Sequence, residues 1–354
     1  MNRCIPLIDL KQWITDPSGF VEQLRKACSE TGFFLLRHDI PSEVVNRAMK
    51  EAEVFFDRPP GEKESISYEN SYNFRGYMRM GVENTSGQTD FREQIEYAVE
   101  TPAAESNALP FYDRLKGVNP WPDSIQPTLK PAINQLAIHL TRIASELVEA
   151  MSVALPTCES AHPLLELFRS HDNINYPPHW ALKLAHYPSN TRGFGVGPHV
   201  DTNFLTLILQ DSCGGLQVWF NNEWINVPAT EGTAVLVCNL GELAELHTCG
   251  VLKATPHRVL ATSHSRISIP FFYNPPLCKK IVSMTHQEES NSTNQGSTTD
   301  QWWRQPNLNT MHGSIGENTF KSLARSHPAV FSRFHNDLTL QKDGTIVLKE
   351  KLCQ

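Results

Sequence analysis

The amino-acid sequence predicts an α+β fold with a double-stranded β-helix (jelly-roll) core, flanked by N-terminal helices and a C-terminal helix. Residues 181–275 contain many short apolar runs at regular spacing, with turn residues between them, as is typical of a jelly roll. In residues 1–180 apolar side chains recur mainly at steps of three and four, which indicates helices. Residues 276–354 begin with a polar stretch, which is followed by a segment predicted to form the C-terminal helix. We therefore expect a single domain over residues 1–354.

The elements before the core can be placed in order. Ile5–Leu10 predicts a first strand, and a helix over 17–31 follows it. The apolar run Phe33–Leu36 indicates a buried strand, and residues 41–56 predict a second helix. From Ile133 to Met151 the apolar residues recur as on a long amphipathic helix. The apolar face of this helix is expected to pack against a sheet.

The core itself is predicted to be made of short strands, at 181–187, 204–210, 215–220, 224–227, 232–238 and 266–273. Asn221–Glu223 is a plausible hairpin tip between two of them. A helix is expected from Ile315 to Arg325. The polar segment 286–301, with Trp302 and Trp303 behind it, is interpreted either as a lid over a site or as a disordered insertion.

Composition and charge restrict the classes of partner. The 354 residues include 31 Lys and Arg against 38 Asp and Glu, a formal net charge of -7, so nothing favours nucleic acid or an anionic membrane. The eight cysteines are scattered without a C-x-x-C pair, which indicates reduced thiols. No run approaches the roughly 18 apolar residues of a membrane span. We expect a cytoplasmic protein with a small-molecule partner, and the sequence predicts no oligomeric state.

Two histidines and one aspartate form the most informative pattern. His199 and Asp201 are two residues apart, so on a strand both side chains would face the same way, and His257 would join them from a distant strand. Two imidazoles and a carboxylate on one face of a metal suit non-heme Fe(II) oxygenases. A second His-x-Asp, His335 and Asp337, lacks this context and is interpreted as a chance match.

Arg266 and Ser268 follow the third proposed ligand on a predicted strand, where the period of two aims both side chains inward. A guanidinium with a hydroxyl can bind a carboxylate in a bidentate manner. The alternative is a structural salt bridge. Tyr187 could add a phenolic donor to the same carboxylate, or pack in the core.

Short motifs distributed along the chain occur at 5–10, 32–34, 38–40, 55–59, 62–63, 75–77, 186–188, 205–207, 214–218, 256–259 and 271–272. In these segments and their order, the sequence resembles the isopenicillin N synthase-like family of Fe(II)/2-oxoglutarate-dependent oxygenases over most of its length. Together these segments are specific, although each alone is not.

The resemblance implies Fe(II) on His199, Asp201 and His257, with 2-oxoglutarate chelating the metal through its keto acid end. Its other carboxylate would bind Arg266 and Ser268, assisted by Tyr187. The reaction would consume O2, release succinate and CO2, and be supported by ascorbate. Many family members carry Asn two residues before the tyrosine, where this chain has Ala185.

Substrate residues can be suggested with less detail. Asn73 and Arg75 lie in a loop that faces the pocket in similar proteins, and Arg75 would suit a substrate carboxylate, with a solvated surface arginine as the alternative. Phe204 and Phe272 could form apolar walls or belong to the core. Hydroxylation, desaturation and oxidative ring closure stay open. A narrower hypothesis is a kainoid synthase-like cyclisation of an N-alkylated glutamate.

Two other functional classes remain open from the sequence. One is a non-heme iron oxidase, of the isopenicillin N synthase or aminocyclopropane carboxylate oxidase type, that does not consume 2-oxoglutarate. In such an enzyme Arg266 and Ser268 would hold the substrate's own carboxylate. The other is a non-catalytic binding protein, against which the intact set of ligands argues.

Overall fold

The computed structural model describes residues 5–85, 88–155, 163–169, 177–189, 193–229, 231–281 and 313–349. The helices are α1 (Gln12–Thr15), α2 (Pro17–Glu30), α3 (Ser42–Phe56), α4 (Pro60–Lys63), α5 (Leu129–Ala154), α6 (Pro163–Phe168), α7 (Glu242–His247), α8 (Ile315–Ser326) and α9 (Pro328–Phe334). The strands before the core are β1 (Leu7–Asp9), β2 (Phe33–Arg37), β3 (Gly76–Met78), β4 (Asn84–Thr85), β5 (Gln88–Thr89) and β6 (Glu93–Ala98).

The strands of the core and of the C-terminal segment are β7 (His179–Tyr187), β8 (Phe194–His199), β9 (Leu205–Gln210), β10 (Leu216–Phe220), β11 (Glu223–Asn226), β12 (Val235–Leu240), β13 (His257–Leu260), β14 (Arg266–Asn274), β15 (Leu338–Leu340) and β16 (Ile346–Leu348). Two sheets dominate the described part of the chain. The larger has the strand order β1-β2-β12-β9-β14-β7-β6-β3, and the smaller the order β11-β10-β13-β8. They form the two layers of the predicted jelly roll.

Apolar side chains fill the space on both faces of the larger sheet. On the outer face, β9 buries Leu205, Leu207 and Leu209 against a core shared with α2, α3 and α5. On the inner face, Ile208 of β9 joins a second cluster with Val259 of the smaller sheet. Because neighbouring residues of a strand point to opposite faces, β9 supplies both cores at once. The space between the sheets is therefore apolar except where polar side chains interrupt it.

The α+β prediction is confirmed, and most predicted elements lie within a few residues of those observed. The helix predicted over Ile133–Met151 extends from Leu129 to Ala154, and the closing helix runs from Ile315 to Ser326. The expected hairpin tip is a two-residue turn in which Asn221 and Asn222 have φ of 52° and 62°, the left-handed conformation that asparagine tolerates in hairpins.

The N-terminal part differs from the expectation of a mainly helical region. It contributes β1, β2, β3 and β6 to the larger sheet, so half of that sheet comes from outside 181–275. Of these, β3 and β6 were not predicted. β6 buries all six of its residues, including Glu93, Gln94 and Glu96. Because these residues are polar, the segment lacks the apolar pattern that predicts a buried strand. The segment 286–303, interpreted as a lid or an insertion, lies outside the described residues.

Helix α8 closes the fold on the side where the strands of the site end. It begins with a capping box in which Ser314 and Glu317 satisfy each other's backbone N–H groups. After α9, Asp337 accepts two hydrogen bonds from the buried guanidinium of Arg114, each 2.7 Å long. The C-terminal segment is thereby attached to the body of the domain.

Candidate active site

His199, Asp201 and His257 are brought together by the pairing of two strands in the smaller sheet. His257, the first residue of β13, lies directly opposite His199, the last residue of β8. One ligand atom from each of the three side chains lies within 4.8 Å of the others. Both imidazole Nε2 atoms are 3.6 Å from Oδ1 of Asp201. Three candidate donors thus converge on one point.

Asp201 reaches this point in a different way from the one expected. Strand β8 ends at His199, so Asp201 lies in the following loop and strand alternation does not aim its side chain. Its backbone carbonyl instead accepts a 2.7 Å hydrogen bond from the N–H of Glu242. The loop passes so close to Gly241 that a Cβ there would overlap the carbonyl oxygen of Asn203. Packing against the end of β12 therefore fixes the aspartate.

Hydrogen bonds orient each of the three side chains for metal binding. The Nδ1 atoms of His199 and His257 lie 2.8 and 3.2 Å from the carbonyl oxygens of Gly197 and Thr255. A carbonyl oxygen can only accept, so Nδ1 carries the proton in each ring and Nε2 keeps its lone pair. Such outer partners fix the tautomer of a ligating histidine.

The aspartate is oriented in the same manner. Its Oδ2 accepts hydrogen bonds from the Thr206 hydroxyl at 2.6 Å and the Asn239 amide at 2.8 Å. Oδ1 is left facing the two imidazoles. Thr206 and Asn239 are both fully buried, so solvent does not compete for these bonds.

The electrostatics of Asp201 and His257 favour the protonation states that a metal requires. Burial opposes ionisation of Asp201, but His257, His199 and the Thr206 hydrogen bond outweigh it and hold its pKa well below the usual range. Burial, with the neighbouring His199, lowers the pKa of His257 to about 4. A neutral imidazole and an ionised carboxylate are the forms that coordinate a divalent cation.

The donor set fits Fe(II). Two imidazole nitrogens and one carboxylate oxygen on one side of an ion leave other positions open, as in non-heme iron oxygenases. Within the described ranges no other group of three His, Cys, Asp or Glu side chains meets the same criterion. In the chance match, Nε2 of His335 bonds the carbonyl of Tyr72, whereas Asp337 binds Arg114. Their side chains therefore do not converge.

A cavity of about 430 Å³ opens beside His199 and Asp201. Ionisable side chains from distant parts of the sequence line it, namely Arg75, Glu83, Arg92, Glu96, His179, Lys183, Glu242, Arg325 and His327. Most were not singled out in the sequence because they belong to segments whose meeting depends on the fold. One available signal was the alternation of His179, Ala181 and Lys183 on β7, which puts all three on the inner face.

Several of these charges are paired within the cavity wall. Nζ of Lys183 lies 3.2 Å from Glu96, and the guanidinium of Arg92 lies 3.2 Å from Asp90 and 3.5 Å from Glu83. Burial opposes the charge on Lys183, but Glu96 and Glu83 raise its pKa. Burial likewise opposes ionisation of Glu83, but Lys183, Arg92 and His327 lower its pKa. The wall therefore stays charged at neutral pH.

Some polar atoms in this wall also lack a hydrogen bond, although Nε2 of His327 lies 3.6 Å from Oε1 of Glu83. Oε1 of Glu83, Nε of Arg92 and Nδ1 of His327 are buried without a hydrogen bond among the described residues. Buried groups of this kind are costly unless something else bonds them. The wall is thus prepared for a polar ligand.

Three of the four suggested substrate residues line the cavity, and one does not. Asn73, Arg75 and Phe272 are part of its surface. Phe204 is fully buried in the outer core, where its ring packs edge-on against Phe168 at 5.0 Å between centroids. Its backbone N–H donates to the Asn274 side chain, which fixes the chain direction there. The suggested wall role of Phe204 is therefore corrected to core packing.

Arg75 is buried, so it is not the solvated surface arginine considered as an alternative. Its terminal nitrogens donate four hydrogen bonds, to the carbonyls of Gly117, Val99 and Leu115 and to the Asn119 side chain. Burial lowers its pKa to about 10. The terminal donors expected for a substrate carboxylate are already used inside the chain.

Arg266, Ser268 and Tyr187 come together deeper in the barrel, beyond the residues that line the cavity. Nη1 of Arg266 donates to the Ser268 hydroxyl at 3.2 Å, and its guanidinium lies 4.8 Å from the centre of the Tyr187 ring. Its Nε has no hydrogen bond, and its side-chain partners among the described residues are the uncharged Ser268 and Gln210 rather than a carboxylate. The salt-bridge alternative therefore has no partner in the described part. A buried cation left in this way fits an anionic ligand.

Tyr187 links this group of residues to the cavity. Arg92, on the cavity wall, forms a side-chain hydrogen bond with Tyr187. The ring of Tyr187 also packs so closely against Gly195 of β8 that a Cβ there would overlap it. The tyrosine thus contacts the strand that carries His199 at its end.

Comparison with known protein families gives two matches along the chain. Residues 5–124 match the model described as non-haem dioxygenase in morphine synthesis N-terminal. Residues 167–275 match the 2OG-Fe(II) oxygenase superfamily. The second match contains the three candidate metal ligands and the Arg266 region.

Individual proteins are similar over most of their length. The 2-oxoglutarate-dependent dioxygenase traH of Penicillium crustosum is 31% identical over 303 residues, covering 79% of this chain and 86% of that protein. A homoarginine-6-hydroxylase of Glycine max is 29% identical, covering 81% and 90%. A 1-aminocyclopropane-1-carboxylate oxidase of Dictyostelium discoideum is 26% identical, covering 97% and 98%.

Solved structures agree on the fold. A full-length Neurospora crassa protein in complex with alpha-KG superposes with a TM-score of 0.68 at 22% identity, covering 90% of this chain and 96% of that one. JOX2 in complex with 2OG, Fe and JA gives 0.63 at 27% identity, covering 79% and 78%. Among the described residues, none of the helices combines the length and the apolar composition that a membrane span needs. With the converging ligands, these likenesses show that the chain belongs to the 2OG-Fe(II) oxygenase superfamily, as an iron- and 2-oxoglutarate-dependent dioxygenase.

Proposed function

We propose that this enzyme oxidises a C–H bond of a small metabolite that carries a carboxylate, and that it releases succinate and CO2 from 2-oxoglutarate. One observation carries the proposal: the two ligands His199 and Asp201 open onto a cavity whose wall is charged. Bound Fe(II) with O2 supplies the oxidising chemistry. The residues of the chain determine which molecule, and which of its C–H bonds, lies beside the metal.

In this proposal His199, Asp201 and His257 bind the iron, while Arg266, Ser268 and Tyr187 bind the far carboxylate of 2-oxoglutarate. The buried Arg266, with Nε unbonded and no carboxylate partner among the described residues, supports this assignment. The planar guanidinium of an arginine matches the geometry of a carboxylate through two parallel hydrogen bonds, whereas the compact ammonium of a lysine does not. The apolar cluster around Tyr187 excludes water, which strengthens these hydrogen bonds.

The substrate carboxylate is proposed to bind near Lys183 and Arg92. Both are cations on the cavity wall, and Nζ of Lys183 also lies 5.9 Å from the ring centre of Phe272, an apolar neighbour for a substrate chain. Asn73 and Arg75 line the same cavity. The terminal nitrogens of Arg75 already donate to backbone carbonyls, so this residue contributes positive charge to the cavity rather than hydrogen bonds from those nitrogens. Oε1 of Glu83 has no hydrogen bond, although Nε2 of His327 lies 3.6 Å away, and it can accept one from an amine of the same substrate.

An amino-acid derivative meets all of these requirements. Two of the similar proteins are named for amino acids, homoarginine and 1-aminocyclopropane-1-carboxylate. An N-alkylated glutamate, the substrate of the kainoid synthase-like hypothesis, belongs to this class. Hydroxylation, desaturation and ring closure differ only in the fate of the substrate after the first C–H bond is broken, so the product must be identified chemically. We propose a role in specialised metabolism.

The proposal is tested by incubating the purified protein with Fe(II), ascorbate, 2-oxoglutarate and a panel of amino-acid derivatives that includes N-alkylated glutamates. Succinate is expected to form in step with an oxidised product, and an Asp201→Ala control should form neither. Oxygen uptake and product formation that do not depend on 2-oxoglutarate would instead support an oxidase of the aminocyclopropane carboxylate oxidase type. Absence of succinate with every carboxylate offered would contradict the proposal.

Lys183 offers a separate test of the substrate class. Lys183→Met keeps the aliphatic stem and removes the charge, so we expect KM for the carboxylate substrate to rise about tenfold, equivalent to about 1.4 kcal/mol. The dissociation constant of 2-oxoglutarate should stay within about twofold in the same variant, because Lys183 is not among the residues proposed to bind it. Equal KM values for variant and wild type would place the carboxylate elsewhere.

The remaining features of the proposal concern the whole chain. We propose that residues 1–354 act as one catalytic domain, since strands from the N-terminal part complete the larger sheet. We also propose a cytoplasmic location. The five cysteines of the described part form no disulfide, and burial raises the pKa of the Cys28 and Cys238 thiols, which is in keeping with a reducing compartment.

A further inference from the structure

Gln210 occupies the inner face of the barrel beside the residues proposed to bind 2-oxoglutarate. Ser268 of β14 lies directly opposite Ala185 on β7 and directly opposite Gln210 on β9. Residues paired in this way point to the same face of a sheet. Ala185 has no polar side-chain atom, so in this row of three the polar groups are those of Ser268 and Gln210.

The hydrogen bond between Gln210 and Arg266 fixes which way the amide faces. Nη2 of Arg266 lies 3.2 Å from Oε1 of Gln210. A guanidinium can only donate, so the amide oxygen must face it and the amide nitrogen must face away. That nitrogen, Nε2, is buried and has no hydrogen-bond partner among the described residues.

Three donor groups therefore remain without an acceptor at one place in the buried interior of the barrel. They are Nε2 of Gln210, Nε of Arg266 and the hydroxyl proton of Ser268, whose oxygen accepts from Arg266. Gln210 and Arg266 are at most 1% exposed, so water from outside does not satisfy them. Buried donors in native proteins nearly always have an acceptor, and one carboxylate offers about four acceptor sites.

The strand that carries Gln210 also reaches the metal ligands. Thr206, Ile208 and Gln210 share the inner face of β9, and the Thr206 hydroxyl bonds Oδ2 of Asp201. One rigid strand therefore holds a partner of the metal ligand at one end and a partner of Arg266 at the other. The four-residue step between them spans about 13 Å of strand.

We propose that Gln210 is a specificity-determining residue for the co-substrate, because its Nε2 donates to the far carboxylate of 2-oxoglutarate while its Oε1 holds Arg266 in the binding orientation. The inference rests on the 2-oxoglutarate dependence of the proposed function. No other residue in this row offers an amide donor, since the position on the far side of Ser268 is Ala185. A structural role alone would explain the contact of Oε1 but not a buried Nε2 left unbonded.

The test measures ligand binding without turnover. The Fe(II)-loaded protein is titrated under argon with 2-oxoglutarate and with 2-oxopentanoate, which has the same carbon chain but no second carboxylate. Gln210→Leu is expected to raise the dissociation constant of 2-oxoglutarate about tenfold and to change that of 2-oxopentanoate less than twofold. Gln210→Glu should bind 2-oxoglutarate more weakly still, because a carboxylate would then compete for Arg266 and repel the ligand.

Gln126→Leu is the matched control. Gln126 is a buried glutamine that bonds Arg58 and Glu51, far from the interior of the barrel. The control should lower the melting temperature without changing either dissociation constant. If Gln210→Leu does not fold, Gln210→Asn, which keeps the amide but shortens its reach, replaces it with the same expectation.

Each outcome decides between the alternatives. Unchanged 2-oxoglutarate affinity in the Gln210 variants, or an equal loss for both ligands, would overturn the inference and leave Gln210 a packing residue. Wild-type protein that binds no 2-oxoglutarate at all would instead refute the proposed function. If 2-oxopentanoate binds too weakly to titrate, a crystal structure with the inert analogue N-oxalylglycine decides: the far carboxylate should lie within hydrogen-bond distance of Nε2 of Gln210, and any other placement contradicts the proposal.

Discussion

Arg75 and Arg266 are two buried arginines that the sequence suggested for carboxylate binding, yet their surroundings differ. The terminal nitrogens of Arg75 donate to four acceptors supplied by the segment 99–119. Arg266 donates to one hydroxyl and one amide, and its Nε has no partner. The first arginine clamps backbone segments together, whereas the second keeps bonding capacity for a ligand. Sequence position alone does not separate these roles, since what matters is how many donors the chain itself uses.

The largest expected effect is the loss of iron binding at the three candidate ligands. Asp201→Ala removes one of the three proposed ligands and leaves two imidazoles. Changes to outer partners of a metal already cost 10–100-fold, so we expect turnover to fall by roughly 1,000-fold or more. Metal content after gel filtration and succinate formation would measure it. Asp337→Asn, in the chance His-x-Asp, is the control and should retain its iron; iron bound equally well by both variants would refute the assignment.

Arg266→Met is expected to have the next largest effect. Two charge-assisted hydrogen bonds to a carboxylate contribute about 3 kcal/mol in total, so the dissociation constant of 2-oxoglutarate should rise about 100-fold. The free energy of unfolding should fall less than in Arg75→Met, because the substitution removes a buried charge that has no carboxylate partner in the described part, and only Ser268 and Gln210 lose a donor. Calorimetric titration and urea denaturation measure the two quantities. If Arg266→Met lowered the free energy of unfolding and left the affinity for 2-oxoglutarate unchanged, Arg266 would have the structural role of Arg75 and the ligand-binding role would be refuted.

Arg75→Met should show the reverse pattern. Its loss leaves the buried carbonyls of Leu115 and Gly117 without their partner, so the free energy of unfolding should fall by about 3 kcal/mol. The affinity for 2-oxoglutarate should change less than twofold. Arg25→Met, which removes an exposed arginine paired with Glu22, is the control and should cost about 0.5 kcal/mol or less. If the Arg75 variant were as stable as this control, the clamp interpretation would fail.

The smallest effect is the pH dependence of His179, next to Arg75. Burial, with the nearby Arg75 charge, lowers the pKa of His179 to about 3. As the pH falls from about 6.5, the unfolded chain binds a proton that the folded chain excludes, so stability is complete above that pH and declines below it. Between pH 7 and pH 4.5 this lowers the free energy of unfolding by about 2.5 kcal/mol, and His179→Gln should remove that part of the loss. Parallel stability profiles for the two proteins would contradict the shift.

The sequence predicts parts of the site that depend on short spacings. His199 and Asp201 are two residues apart, as are Arg266 and Ser268, and an alternating strand or its end holds each pair together. The long helix and the core strands are predictable for a related reason, because burial on one face imposes a period on the apolar residues. These features are local consequences of backbone geometry.

Features that depend on the meeting of distant segments are not predictable in this way. Glu83, Lys183 and His327 share one cavity wall although more than 240 residues separate the first from the last. Phe204 follows the metal ligands closely in sequence, yet it turns into the outer core beside Phe168. Gln210 ends a predicted strand, but its meaning appears only when the register sets it opposite Ser268. In each case contacts between distant segments determine the role of the residue, and the spacing of residues in a single sequence does not predict those contacts.

The central claim is that three converging side chains bind ferrous iron next to an arginine reserved for 2-oxoglutarate. Titration of Fe(II)-loaded wild-type protein with 2-oxoglutarate under argon, followed by visible absorption, tests it most directly. The account predicts a new absorption band that saturates at one equivalent of 2-oxoglutarate, is absent in Asp201→Ala, and requires about 100-fold more ligand in Arg266→Met. A wild-type spectrum that 2-oxoglutarate leaves unchanged would contradict it.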